Sequence, residues 1–269
     1  TVDGSIATGA AVSVMLIRAG VSPIATLPIA FLAGALAGMV TGLLNTALGI
    51  PGILASILTQ ISLYSINLNI MGKANQPVSV DNYPLVVSLR YVTDGSVSRL
   101  LFFLGMIVFL LALIAVMYWY FGTEQGHAIR ATGCNSNMAR AQGINTNFIK
   151  VLALMISNGL VGLCGALYGQ FQGASDVNMG RGAIVIGLAA VIIGEVLFGK
   201  FASKRKLAFA FTLASVILGA VIYYMVYQFV LWLKMPSEDM KLFSAIVVAI
   251  FLAIPYLKEK RTLRKGASK

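Results

Sequence analysis

Long apolar runs, broken by short polar segments, set the pattern of this chain. A hydrocarbon core of about 30 Å takes about 20 apolar residues in a helix. Uncharged runs of that length occupy residues 24–48, 50–71, 100–121, 151–171, 207–233 and 242–257. A further run, 182–198, is interrupted only by Glu195 near its end. The first, Ile6 to Ile17, is short and bounded by Asp3 and Arg18, and reads as a half-span or the remnant of a broken helix. The pattern predicts an all-α fold: one transmembrane domain over 1–269, a polytopic helical bundle of about eight membrane segments.

Composition excludes the soluble alternatives. Hydrophobic residues make up 58% of the chain and charged ones 11%, with a mean hydropathy of +0.87. A soluble domain of this size needs far more charge to cover its surface. Glycine, at 27 residues, is high, as expected where membrane helices approach closely. The net charge of +11 invites a nucleic-acid reading, but the basic residues sit in loops between apolar runs, so membrane orientation explains them better. Alternation of eight spans gathers most of the 20 lysines and arginines on one side. They are Arg130, Arg140 and Lys150, then Lys200, Lys204, Arg205 and Lys206, then the tail from Lys258 to Lys269. The positive-inside rule makes that side cytoplasmic. The 72–99 loop is then external, and its Pro77, Asp81, Asn82, Pro84 and Gly95 suit an irregular solvated connection. Cys134 and Cys164 form no disulfide framework or metal-ligand spacing, and His127 is the only histidine. The chain opens at Thr1 inside a stretch that already looks structured, so residues are expected upstream.

Polar residues within spans are costly and therefore informative. Asn45, Thr46, Gln60, Ser62, Asn67, Asn158, Tyr224 and Gln228 qualify, while no Lys, Arg, Asp or Glu lies mid-span. That argues against a proton relay or a carrier built on buried carboxylates. For any one of them the plain role is an interhelical hydrogen bond, worth roughly 1 kcal/mol. As candidates to line a pathway we single out Asn45, beside the breaking sequence Gly49-Ile50-Pro51-Gly52, with Gln60 in the next span and Asn158 two turns into a later one. Tyr224 and Gln228 share a helix face at i, i+4. Tyr118, Trp119 and Tyr120 read as an interfacial aromatic belt. A faint repeat pairs Gly9–Val12 with Gly187–Val191 and Phe31–Gly38 with Phe211–Gly219, in opposite senses across the membrane, as in an inverted repeat.

The segment 122–150 is too polar to span. Its small residues predict a short helix on the membrane face, over about 128–142, then a tight turn at Gly143 feeding the next span at Phe148. An ordinary connection is the alternative. Gly194–Lys200 imitates a nucleotide-binding loop, but Phe201 stands where Ser or Thr must reach Mg²⁺. No catalytic or metal-binding set emerges.

The run GHAIRATGCNSNMARAQGINTNFIKVLALMISNGLVGLCGALYGQ resembles the coupling region of ABC importer permeases of the branched-chain amino acid and ribose type. Their pattern falls on Arg130, Ala131, Asn135, Ala139, Gly143, Ile144 and Asn145. TVDGSIATGAAVS is similar to the segment after their first helix, and LYSINLNIMGKAN looks most like a subfamily for aromatic amino acids or related solutes. The resemblance covers nearly the whole chain. It implies a permease pair, as a homodimer, seated on a dimer of cytoplasmic ATPases that hold ATP and Mg²⁺, and fed by an extracytoplasmic solute-binding protein. It also implies a multi-pass location in the bacterial inner membrane, surrounded by lipid, with no cofactor in this chain and no nucleic-acid partner. The solute is expected to be small and net-neutral, an amino acid first, with a sugar or nucleoside as alternatives. The rivals are an ion-coupled secondary carrier or channel, and a structural membrane subunit.

Overall fold

A computed structural model describes residues 1–78, 83, 85–88, 96–202, 208–232, 249 and 253. The expected last span at 242–257, the tail from Lys258 and most of the 79–95 loop lie outside the described residues, apart from these few positions. The described chain is mostly helix. In order it forms α1 (Val2–Arg18), α2 (Pro23–Thr46), α3 (Gly52–Met71), β1 (Asn75–Pro77), α4 (Ser96–Phe121), α5 (Glu124–Cys134), α6 (Ser136–Ala141), α7 (Thr146–Gln172), β2 (Ala174–Asp176), α8 (Ala183–Ala202) and α9 (Ala208–Trp232). Among the described residues, five helices contain stretches long and apolar enough to cross a membrane: Pro23–Thr46, Gly52–Met71, Arg99–Phe121, Thr146–Gln172 and Phe209–Phe229. Within α8, Ala183–Phe198 is a shorter apolar helix.

Two compact units divide the chain. The first is Thr1–Leu113 with Trp119–Arg181, and the second is Ile114–Tyr118 with Gly182–Lys269. The first is built on α1, α2, α3 and α7. Small residues let their backbones touch. Ala30, Gly34, Gly38 and Gly42 repeat every four residues on one face of α2, and all four run along α7, Gly42 against the Cα of Val151. A Cβ at Gly34 would overlap the Asn158 carbonyl, and one at Gly38 the Leu154 carbonyl. This is the close small-residue packing by which helices associate in lipid, where hydrophobicity supplies no drive between them. α1 runs parallel to α7: Ser5 meets Asn158, and Ser13 meets Gln170. It also runs beside α3, from Thr1 at Ser56 to Ala11 at Met71. At 17 residues, with ten of them buried, α1 is a short element wrapped by longer ones.

Outward faces are apolar. On α4, Leu100, Leu101, Ile107, Val108 and Leu111 are each more than half exposed, a surface stable against acyl chains and not against water. In the second unit, α8 and α9 pack through the same device: Gly194 lies against the Ser215 backbone and Gly219 against the Ala190 carbonyl. Ala189, Ile193 and Tyr223 form the core between them.

Two departures from the sequence reading are local. The 72–99 connection is not wholly irregular, because β1 pairs antiparallel with β2, Gln76 opposite Ser175. The polar 122–150 segment carries two helices rather than one, α5 and α6, broken at Asn135, whose backbone is extended at φ −156° and ψ 101°.

Candidate functional site

A cavity of about 310 Å³ opens between α1, α3 and the segment that follows β2. Asp3 of α1, Gln60, Tyr64 and Asn67 of α3, and Asn178 and Arg181 of the last segment line it. The volume falls at the small end of ligand pockets, which span about 300–1,000 Å³.

Local chemistry sets each wall. Ala55, Thr59, Leu63, Asn67 and Met71 are the buried positions of α3, spaced every four residues, so they form one stripe pressed into the bundle. Gln60 and Tyr64 stand beside that stripe, the first half-buried and the second 44% exposed, which leaves the cavity open along α3. The far wall is held by the two-stranded pairing, extended by Val78 N–H to Gly173 O (2.8 Å) and Val177 N–H to Ala74 O (3.0 Å). The Asp176 carboxylate then accepts from Asn178 N–H at 2.7 Å, a tight local turn. The chain next runs against α1 so closely that a Cβ at Gly180 would overlap the Asp3 carbonyl. The outcome is a polar segment packed on a membrane helix, where backbone groups are tolerated only against protein or a wet cavity.

Asn67 is the unusual residue. It is 0% exposed, it lines the cavity, and neither Oδ1 nor Nδ2 has a hydrogen-bond partner in the structure. A buried amide left in that state costs about 1–3 kcal/mol. The sequence reading counted Asn67 among the polar residues in spans but did not select it. The available signal was its place in the every-fourth stripe of α3.

The other pathway candidates fall elsewhere. Asn45 donates from Nδ2 to Ile50 O at 2.9 Å and so ties the α2–α3 turn. Asn158 accepts from Ser5 Oγ at 2.9 Å through Oδ1 and donates to Leu154 O at 2.9 Å, which makes it a buried link between α1 and α7. Tyr224 and Gln228 sit on an exposed face of α9 in the second unit. Of the candidates, only Gln60 reaches the cavity.

The coupling candidates lie together on one polar connection. Thr123 caps α5 by accepting from Gly126 N–H at 3.4 Å, and a Cβ at Gly126 would overlap the end of α4, so the chain turns sharply there. Asn135 caps α6, accepting from Asn137 N–H at 3.1 Å and Met138 N–H at 3.0 Å. Gly143 has φ +82°, the left-handed conformation that ends α6, and Asn145 caps α7 by accepting from Phe148 N–H at 3.2 Å. Arg140 reaches Thr146 Oγ1 at 3.1 Å. Ala139 is buried and Ile144 half-buried, whereas Arg130, Ala131 and Asn135 are exposed. Arg130 thus sits on an exposed face of α5. Met138, 62% exposed, adds an apolar side chain to the same surface. The nucleotide-loop imitation at Gly194–Phe201 is continuous helix, and its glycine serves α8–α9 packing.

A second network went unselected in the sequence. Gln170 Nε2 lies 3.1 Å from Ser13 Oγ and 3.2 Å from both Pro23 O and Thr26 Oγ1. Its Oε1 accepts from Val86 N–H at 3.2 Å. One amide thereby joins α1, α2, α7 and the connection before α4.

Membrane helices packed by glycine, a polar cavity between them and a capped polar connection on one side are the parts of a solute permease. Residues 1–255 match the family described as the permease component of the branched-chain amino acid transport system, and the chain belongs to that family. It is therefore a multi-pass membrane permease subunit of an ABC transport system, not an enzyme in its own right. The chain is 39% identical over 251 residues to the tyrosine transport system permease protein of Clostridioides difficile, covering 93% of this chain and 79% of that one. An uncharacterised protein of Rickettsia prowazekii is 30% identical over 257 residues, covering 94% and 86%. The autoinducer 2 import permease LsrC of Yersinia pseudotuberculosis is 28% identical over 238 residues, covering 87% and 62%. No solved structure matches the chain significantly.

Proposed function

We propose that this chain forms the translocation path of an ATP-driven importer for an amino acid. The polar cavity on α3 carries the reading, because Gln60, Asn67 and Arg181 meet at one opening beside a membrane-spanning helix. Ser62, Ser65 and Asn69 share an exposed face of the same helix, opposite its buried stripe, and such a face is better turned to an aqueous path than to lipid. A second copy of the chain completes that path, as a homodimer. The tyrosine named for the Clostridioides difficile relative favours an amino acid over a sugar or nucleoside.

About eight membrane segments, with the tail from Lys258 in the cytoplasm and the 72–99 loop outside, complete the topology. The α5–α6 connection with Gly143 and Asn145 docks on a cytoplasmic ATPase dimer, which holds ATP and Mg²⁺. A binding protein delivers solute from outside. Hydrolysis moves α5 and α6 and alternates access, and no covalent step touches the solute.

The test is reconstitution of the permease with its ATPase and binding protein in liposomes. Uptake of labelled L-tyrosine or L-leucine that needs ATP and the binding protein is the expected result. Uptake by the permease alone, driven by an ion gradient, would instead establish a secondary carrier. ATP-dependent uptake of a sugar in place of amino acids would keep the importer and change its solute.

A further inference from the structure

We propose that the cavity between α1 and α3 is the subsite for the charged head group of the solute, the paired α-ammonium and α-carboxylate of a free amino acid. This rests on the importer reading above. The volume, about 310 Å³, admits a single small solute. Asn67 supplies one donor and one acceptor from a side chain that is 0% exposed, and both atoms lack partners in the structure. An amide fits a head group with an acceptor at one end and a donor at the other, since Nδ2–H donates to the carboxylate while Oδ1 accepts from the ammonium. Arg181 and Asp3 line the same cavity with opposite charges. A zwitterion matches that pairing, and a neutral sugar has no use for it. Gln60 and Asn178 add amides at the wall. Tyr64, 44% exposed at the open side, leaves room for the solute's side chain to project away from the charged end.

A packing role for Asn67 gives the opposite expectation. An orphan amide exchanged for leucine, which keeps the branch at Cγ and the number of side-chain heavy atoms, leaves assembly intact or improves it and leaves transport alone. The experiment uses the complete importer in liposomes, with ATP and saturating tyrosine-loaded binding protein, so that recognition by the binding protein is equal in all samples. L-Tyrosine uptake is normalised to assembled complex. Asn67→Leu and Arg181→Gln are each expected to lower the normalised rate about tenfold, the size of one lost hydrogen bond to a charged group. Arg181→Lys, which keeps the charge, is expected to recover most of it. A normalised rate within about twofold of the unaltered chain for either Asn67→Leu or Arg181→Gln would overturn the subsite. Failure of the importer reading shows separately, as absence of ATP-dependent amino-acid uptake by the unaltered complex.

Discussion

Gln170 is 1% exposed and holds three helices and the connection at Val86 through one amide, so its replacement has a calculable effect. In Gln170→Leu, Ser13 and Thr26 stay bonded to each other at 2.9 Å, and Thr26 keeps its bond to Pro23 O at 2.7 Å. Their loss is therefore limited to interhelical bonds of about 0.6 kcal/mol each in a membrane protein. Val86 N–H loses its partner outright, but Val86 is 37% exposed, so water can replace it and the loss is that of one ordinary hydrogen bond, about 0.5–1.5 kcal/mol. The net expectation is a loss of about 2–3 kcal/mol. Gln170→Glu should be worse despite its similar shape. It still accepts from Val86, but its second oxygen replaces the donor that faces the Pro23 carbonyl, and it buries charge without a countercharge in the network. Unfolding of the purified permease in mixed micelles, by denaturing detergent titration, measures both. Transport per assembled complex should stay near normal in Gln170→Leu. Equal stability of the two variants, or a loss under about 0.5 kcal/mol in Gln170→Leu, would refute the assigned network.

Two further outcomes follow from backbone geometry and one from the charge pattern of the sequence. Gly34→Val places branched carbon against the Asn158 carbonyl and should force α2 from α7, costing about 3 kcal/mol or more and removing assembled complex, as read by size-exclusion chromatography in detergent. Gly143→Val puts a β-branched residue at φ +82° in the turn between α6 and α7, so ATPase co-purification should fall while the unfolding free energy drops by only about 1–3 kcal/mol; normal co-purification and transport would remove the coupling role. A cysteine introduced at Ser79 should react with an impermeant thiol reagent in intact cells and one at Ser268 should not, and the reverse pattern would invert the topology.

The spans were legible because the property that makes them is additive along the chain. The runs at 50–71, 100–121 and 207–233 reappear as α3, α4 and α9, with ends shifted by a few residues. α1 was read as starting at Ile6 but begins at Val2, because Asp3, Gly4 and Ser5 are polar or small yet face protein rather than lipid. Hydropathy measures lipid contact, and α1 has almost none. The turn at Gly143 was legible from glycine chemistry. The break at Asn135 was not, although an Asn two and three residues before free amides is a capping signal when the flanking residues favour helix. The pairing of β1 with β2 joins residues about a hundred positions apart, and nothing local in Asn75–Pro77 announces a partner.

Polar residues inside the spans show most clearly what a sequence leaves open. Asn45, Asn67, Asn158 and Gln170 share one chemistry, yet the sequence singles out Asn45 and Asn158, counts Asn67 without selecting it and passes over Gln170. The structure separates them by where their bonds go. Asn45 spends its amide on a turn, Asn158 on a neighbouring helix and Gln170 on four groups at once. Each of those amides is satisfied within the chain and is explained by packing. Asn67 is not satisfied, and it borders the cavity on α3. In hydrocarbon an unmet amide is too costly to be neutral, so its persistence points to a partner that comes and goes. A residue built for passage must bind weakly and release, and a bond completed permanently within the fold would forfeit that property.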